Sequence, residues 1–176
     1  MDRARDPAVL DRAALERLYV KLEKPIYNVV YRWLWNASDA QEVTQEAFLR
    51  VWKVRDDVDL ATVEPLLYRT AINLASNRRR SGRLWRWLGL DSASEAASEA
   101  PGSEQLLEAA HSRQRVKAAI DALPENLRQV ILLAEYSEMS YEEIGLTLGI
   151  PAGTVGSRRN TALARLAQQL AERADP

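Results

Sequence analysis

The 176-residue chain predicts an all-α fold: two small helical domains joined by a flexible acidic linker, the second domain a helix-turn-helix. Three observations predict it. No stretch sustains the period-2 alternation of a strand, and turn-separated β-branched runs are missing. Apolar residues recur at helical spacing in both halves. The stretch "GLDSASEAASEAPGSEQ", residues 89–105, has no large apolar residue after Leu90 and carries Pro101-Gly102, a linker composition. The expected division is a helical domain over 1–88, a linker over 89–108 and a helix-turn-helix domain over 109–176, both domains of ordinary size.

In the first half, "AVLDRAALERLYVKLE" sets Leu10, Ala14, Leu18 and Leu22 on one stripe, and Pro25 is expected to punctuate it. "IYNVVYRWLW" is apolar on several sides and reads as a central helix. "SDAQEVTQEAFLRVWK" opens on Ser38 and Asp39 as capping candidates, with acids in its first turn. Val43, Ala47 and Val51 form its buried stripe, with Phe48 and Trp52 beside them. "VRDDVDLAT" is a polar loop. "VEPLLYRTAINLASNRRRSGR" is a further helix, with Leu67, Ala71 and Leu74 inward and a basic end.

In the second half, "SEQLLEAAHSRQRVKAAIDAL" is a helix ending before Pro124, and "ENLRQVILLAEY" is a short apolar one. "SYEEIGLTLG" begins with Ser140 and has Glu143 three residues on, a capping box. After the turn at Gly149-Ile150-Pro151 comes "AGTVGSRRNTALARLAQQLAER". Two short helices joined by a tight Gly-containing turn make a helix-turn-helix. Ile144 and Leu148 on its first helix, and Val155, Ala162, Leu163 and Leu166 on its second, are expected to bury the contact.

Composition removes several function classes. The chain is 47% hydrophobic and 28% charged, as a globular protein is. It has no cysteine, hence no disulfide framework, thiolate metal site or thiol nucleophile. The single histidine, His111, excludes a histidine zinc site and reads as a polar residue near a helix start. Walker A and dinucleotide glycine patterns are missing, and the carboxylates sit at helix starts or in the linker. The expectation is a protein that is not an enzyme, with no catalytic residues, metal, cofactor or small-molecule substrate. The start "MDRARDPAVLDR" has no apolar run, and no stretch approaches the roughly 18 apolar residues of a membrane span, so a cytoplasmic location without membrane insertion is expected.

The net charge of −1 hides segregation. Residues 1–88 hold 16 Lys/Arg and 12 Asp/Glu, residues 89–110 hold none and 5, and residues 111–176 hold 8 and 8. The basic half contains Asn77-Arg78-Arg79-Arg80, extended by Arg83 and Arg86. Cations at a helix end favour its dipole, but that explains one or two arginines; five fit a phosphate-contacting patch. A second DNA element is the stretch "GIPAGTVGSRRN". The outward face of its helix runs through Thr154, Ser157, Arg158, Thr161 and Arg165, where a helix-turn-helix contacts base edges and phosphates. Most aromatic residues of the first half read as core. Tyr68, leading into the basic helix end, is the one placed to stack on an unpaired base. Trp85 and Trp87 dock a partner or pack back on the domain.

"SDAQEVTQEAFLRVWK", "LLYRTAINLASNRRR", an acidic linker and "LPENLRQVILLAEYSEMSYEEIGLTLGIPAGTVGSRRNTALARL" together resemble the bacterial extracytoplasmic-function (ECF) sigma factors, two-domain initiation factors of RNA polymerase. The resemblance covers roughly residues 10 to 170. It implies that Asp39, Glu42, Gln45, Glu46 and Phe48 dock on core RNA polymerase. It implies that Tyr68, Arg69, Asn73, Asn77, Arg78, Arg79 and Arg80 read and open the −10 promoter element, with loop 54–62 holding a flipped base. Thr154, Ser157 and Arg158, with Arg159 and Thr161, would read the −35 element. The linker would run through the polymerase's RNA path, its acids mimicking nucleic acid. An anti-sigma factor is a further partner the resemblance implies. Two weak readers tethered to one enzyme give combined specificity, so a chain of charge −1 can read promoter DNA.

This sequence departs from the family pattern at Leu66 (typically Trp), Asn77 (an acid), Gly156 (Lys or Arg), Arg159 (aliphatic) and Thr161 (Arg). Either a divergent −35 element is read, or Arg159 snorkels outward to a phosphate. The other classes open to this sequence are a stand-alone helix-turn-helix regulator and a helical adaptor that does not bind DNA. The segment at 39–48 favours the sigma reading, since a simple repressor has no need of it.

Overall fold

A computed structural model describes residues 10–87 and 104–172. Among them are seven α-helices and one short 3-10 turn, with no β-strand: α1 (Arg12–Leu34), α2 (Ala37–Lys53), α3 (Val63–Trp87), α4 (Glu104–Ala122), α5 (Glu125–Tyr136), α6 (Tyr141–Leu148) and α7 (Ala152–Glu172), the 3-10 turn being Arg55–Asp57. The all-α fold expected from periodicity is the fold observed. The linker reading over 89–103 lies outside the described residues. Its last part, 104–108, is corrected: those residues are already helical, in α4.

Helices α1, α2 and α3 pack on one another as a three-helix unit, and α4 to α7 form a second unit around the α5–α7 and α6–α7 contacts. The predicted stripes point inward. Leu10, Ala14 and Leu22 are buried, as are Val43, Ala47 and Val51, and Leu67 and Ala71. The helix-turn-helix contact forms from Ile144, Val155 and Ala162; Leu163, expected to join it, is 39% exposed. Leu163 directly follows Ala162, about 100° further round the helix, and that rotation carries it out of the seam.

Pro25 does not end the first helix. α1 runs through it. A proline there removes the bond to the Lys21 carbonyl and costs about 3 kcal/mol. Leu22, Ile26, Val29, Val30 and Trp33 are buried on both sides of it. Burying each such side chain contributes about 1.5–3 kcal/mol, so a continuous helix outweighs the missing bond. α1 stops instead at Trp35, which takes the left-handed conformation with φ 56°. The cap of α2 is Asn36, two and three residues before the expected Ser38 and Asp39: its side chain accepts from the Asp39 amide at 3.0 Å. An Asn there satisfies a first-turn amide in the way Ser38 was expected to, in a helix that starts earlier.

The two units are docked. α5 lies on α1 and α6 on α3, and the buried apolar residues of both units form one continuous cluster. Arg128, on α5, is buried and closes the junction. It donates to the carbonyls of Ile120 (3.0 Å), Asp121 (2.8 Å) and Leu123 (2.7 Å), capping the end of α4, and its guanidinium lies 5.6 Å from the centre of the Trp33 ring on α1.

Candidate polymerase and nucleic-acid interface

On α2, Gln45 and Glu46 are exposed, and Glu46 accepts from Arg50 at 2.8 Å. Asp39 and Glu42 are both held by Arg78 of α3, at 2.7 and 2.6 Å. Burial works against the Arg78 cation, but its bonds to Glu42 and Asp39 prevail and raise its pKa. Phe48, expected on the docking surface, is 4% exposed and packs edge-on against Tyr19 with centroids 4.9 Å apart. It belongs to the core, on the side of the helix that also buries Thr44 and Val51, four residues before it and three after.

Along α3, Asn73, Asn77, Arg78 and Arg80 are exposed, and Arg79 is half-buried. Tyr68 is fully buried, and its hydroxyl donates to the Ser137 carbonyl at 3.2 Å. Burial first, then the nearby Glu64, pushes its phenol pKa up. A ring in that position is closed to a base in this conformation, which corrects the expectation of an accessible stacking residue. Arg69 donates to the carbonyls of Thr147 and Leu146, both at 2.6 Å, at the end of α6. Arg79 meets Asp121 at 2.6 Å, and Arg80 meets Glu125 at 3.3 Å. Arg83, Arg86, Trp85 and Trp87 lie on the last turns of α3; the roles considered for their side chains fall outside the described residues.

The helix-turn-helix is built as its sequence requires. Ser140 accepts from the Glu143 amide and Glu143 returns a bond to the Ser140 amide at 2.7 Å, the reciprocal capping box. Glu143's carboxyl is held below its ordinary range by that amide bond. Gly149 turns the chain at φ 68°, a left-handed conformation that favours glycine. Gly145 is required for a different reason: a Cβ there would stand 2.6 Å from the Ile150 carbonyl oxygen.

On α7, Ser157, Thr161 and Arg165 are exposed, with Thr154 and Arg158 half-exposed between them. Arg158 and Arg165 have no ion-pair partner among the described residues. Arg159 turns the other way. Its Nε and Nη2 donate to one Glu135 oxygen of α5 at 3.0 and 2.7 Å, and this pairing, with Tyr141 adding to it, raises its pKa. It is held against α5, so the outward-reaching alternative does not describe this conformation. The bare position at Gly156 is faced by the Tyr141 ring, 3.5 Å from where a Cβ would be.

Two family models match this chain: Sigma-70 region 2 over residues 18–84 and Sigma-70, region 4 over 113–166. The chain is 34% identical over 162 residues to the RNA polymerase sigma-H factor of Pseudomonas aeruginosa, covering 84% of this chain and 81% of that one. It belongs to the ECF sigma factors. The ECF RNA polymerase sigma factor SigE of Mycolicibacterium smegmatis is 34% identical over 148 residues, covering 84% of this chain, which spans 58% of that longer relative. Two solved structures share the fold at 23% identity: CnrH in complex with the cytosolic domain of CnrY (TM-score 0.68, covering 94% of this chain and 92% of that one), and the sigma factor RpoE with the anti-sigma factor NepR from Bartonella quintana (0.65, 92% and 98%). The two matched regions of this sigma factor coincide with the docked units, α1–α3 and α4–α7.

Sequence reasoning did not single out Asp121, Glu125, Arg128 or Tyr141. Arg128 carried a signal: it stands three and four residues before Ile131 and Leu132, on the buried side of its helix, where an arginine has to find carbonyls. Among the described residues no group of His, Asp and Glu is arranged to hold a metal ion, and no helix is long and apolar enough to cross a membrane.

Proposed function

We propose that this chain brings core RNA polymerase to a restricted set of promoters and catalyses nothing itself. α7 reads the −35 element through Thr154, Ser157, Arg158 and Thr161. α3 reads and opens the −10 element through Asn73, Asn77 and its arginines. The acids and amide of α2, half-buried Asp39 and exposed Glu42, Gln45 and Glu46, form the docking face for the polymerase. The observation that carries this is the α7 face: Arg158 and Arg165 have no ion-pair partner among the described residues and are in line on the second helix of a helix-turn-helix, inside the segment matched by Sigma-70, region 4. Such cations supply phosphate and guanine contacts. By likeness to relatives, the protein works in the cytoplasm, and an anti-sigma factor is its inhibitory partner.

Reconstitution tests the proposal. The purified chain is mixed with core RNA polymerase and a fragment library from the source genome, and transcripts are mapped. Promoter-specific starts that share two spaced elements are expected. Failure to bind core enzyme would sink the docking assignment; binding without specific starts would sink the assignment of both DNA helices.

A further inference from the structure

Two arginines of α7 and three of α3 are in opposite conditions. Arg158 and Arg165 of α7 are free of acidic partners among the described residues, whereas Arg69, Arg79 and Arg80 of α3 are all occupied, and by the other half of the chain. The occupant of Arg79 and Arg80 is one corner, where α4 ends and α5 begins. Arg79 Nη1 donates to Asp121 Oδ1 at 2.6 Å, and its Nη2 reaches the Asp121 carbonyl at 3.4 Å. Arg80 Nη2 donates to Glu125 Oε1 at 3.3 Å, and Ser76 Oγ donates to that same oxygen. The Ser76 bond, then Arg80, holds the Glu125 carboxyl below its ordinary range, so it is anionic where it meets the arginines. Arg128 fixes this corner from behind through the Asp121 and Leu123 carbonyls.

We propose that the α4–α5 corner, with Asp121 and Glu125, is an internal ligand of α3: in the closed molecule it takes the arginines that a promoter strand takes in the open one. This rests on the reading of α3 as the −10 helix. Each carboxylate gives its arginine one anionic oxygen, as a phosphate contact does. The tether makes the corner a ligand at high effective concentration. Its side chains are partly solvated, with Asp121 30% and Glu125 43% exposed, so each pair is weak and salt-sensitive and its arginine can be taken by a competing anion. The −35 helix stays uncovered, so closure withholds one reader and not the other.

The test uses the full chain with Asp121→Asn and Glu125→Gln together. The natural chain has no cysteine, so Lys53→Cys and Gln168→Cys place a dye pair on exposed sites of the two halves. Energy transfer reports closure, and far-UV circular dichroism checks folding. Binding is measured to a fluorescent random-sequence single strand of about 20 nucleotides across a salt series. In the double variant, transfer should fall, and affinity at low salt should rise about 3- to 30-fold, the worth of two exposed ion pairs. The slope of log K against log salt should steepen by about 1.4, for two more phosphates neutralised on a single strand. Each single variant should give an intermediate result. Glu108→Gln with Glu172→Gln makes the same charge change away from the corner and should leave transfer unchanged. Unchanged transfer in the Asp121/Glu125 variant, or equal affinity gains in both double variants, would overturn the internal ligand. The reading of α3 is judged separately: Arg79→Ala with Arg80→Ala should abolish promoter opening in the polymerase complex, and normal opening there would reject α3 as the −10 helix whether or not the corner closes it.

Discussion

The two glycines at 145 and 156 sit in the same helix-turn-helix, yet the same substitution at each should change stability in opposite directions. Replacing a helical glycine by alanine contributes about 0.8–1.0 kcal/mol through backbone entropy. At Gly156 the added Cβ meets only the Tyr141 ring, at 3.5 and 3.7 Å, ordinary contact distance. The propensity gain survives whole, and Tm should rise by roughly 2–4 °C for a chain of this size. At Gly145 the Cβ would stand 2.6 Å from the Ile150 oxygen, a backbone atom that cannot rotate away. Ile150 is tied to the same glycine, its amide donating to the Gly145 carbonyl at 3.0 Å, so relief of the clash breaks the turn. Overpacking costs about 1–3 kcal/mol, occasionally more, and a clash with fixed backbone belongs in the upper half of that range, about 2–3, which exceeds the propensity gain. Gly145→Ala is expected to lose about 1–2 kcal/mol, separating the two variants by about 2–3 kcal/mol. Urea unfolding followed by circular dichroism, with m-values compared, measures both. A Gly145→Ala protein as stable as the parent would refute the close approach of the α6–α7 turn; a destabilised Gly156→Ala would refute the placement of Tyr141 over the glycine.

Arg128→Met keeps volume but takes the guanidinium donor from three carbonyls, of which Ile120 keeps the Leu123 amide and Asp121 keeps Arg79; at about 1–3 kcal/mol for each one that water cannot reach, a net loss of about 2 kcal/mol, roughly 4–8 °C in Tm, is expected by calorimetry, and a shift under about 2 °C would mean the Leu123 carbonyl is readily hydrated. Arg158→Ala should reduce −35-dependent transcription by roughly 5- to 150-fold while core binding in a pull-down is unchanged; an unaffected promoter would make Arg158 a solvated surface residue. Gly156→Lys restores a cation to the reading helix, and its binding to duplex promoter DNA should steepen by about 0.9 in the log–log salt slope; no change would show that a cation at this position does not reach phosphate. Glu143 and Glu125 both have folded pKa values below the ordinary glutamate value of about 4.3, so their contribution is complete above that pH and is lost as pH falls through the folded values. Tm should therefore drop as the solution is acidified below about pH 4.3, and Glu143→Gln should flatten that drop; an unchanged slope would remove Glu143 from the acid-sensitive set.

What could be read from the sequence was whatever repeats within a helix. The stripe from Leu10 to Leu22, the Val43–Ala47–Val51 row and the Ser140–Glu143 box each rest on neighbours three or four residues apart, and each formed as read. Pro25 misled because a local penalty was weighed without the burial of Ile26, Val29, Val30 and Trp33 that follows it. Phe48 misled because a family segment was carried over whole, and position in the segment does not say which way a side chain faces. The docking of the two halves had no signal of this kind. Arg79 and Asp121 are 42 residues apart, Arg80 and Glu125 are 45, and each is unremarkable in its own helix. Nothing periodic links them.

At the basic end of α3 the structure places carboxylates, Asp121 on Arg79 and Glu125 on Arg80. Several arginines crowded at one helix end exceed what the helix dipole can use, so they require an anion. A carboxylate of the same chain and a phosphate of a DNA strand both satisfy that requirement with an anionic oxygen that accepts a charge-assisted hydrogen bond. Charge pattern therefore identifies the class of ligand and not the molecule that supplies it; under the closure proposed above, the same arginines would serve closure and promoter reading in turn. Burial separates the two elements at issue. Tyr68 is fully enclosed and can face a base only after the halves part, while the α7 face needs no such step. If α7 meets DNA before α3 does, a promoter lacking its −35 element should be affected most at the stage of initial binding, and one lacking its −10 element at the stage of opening.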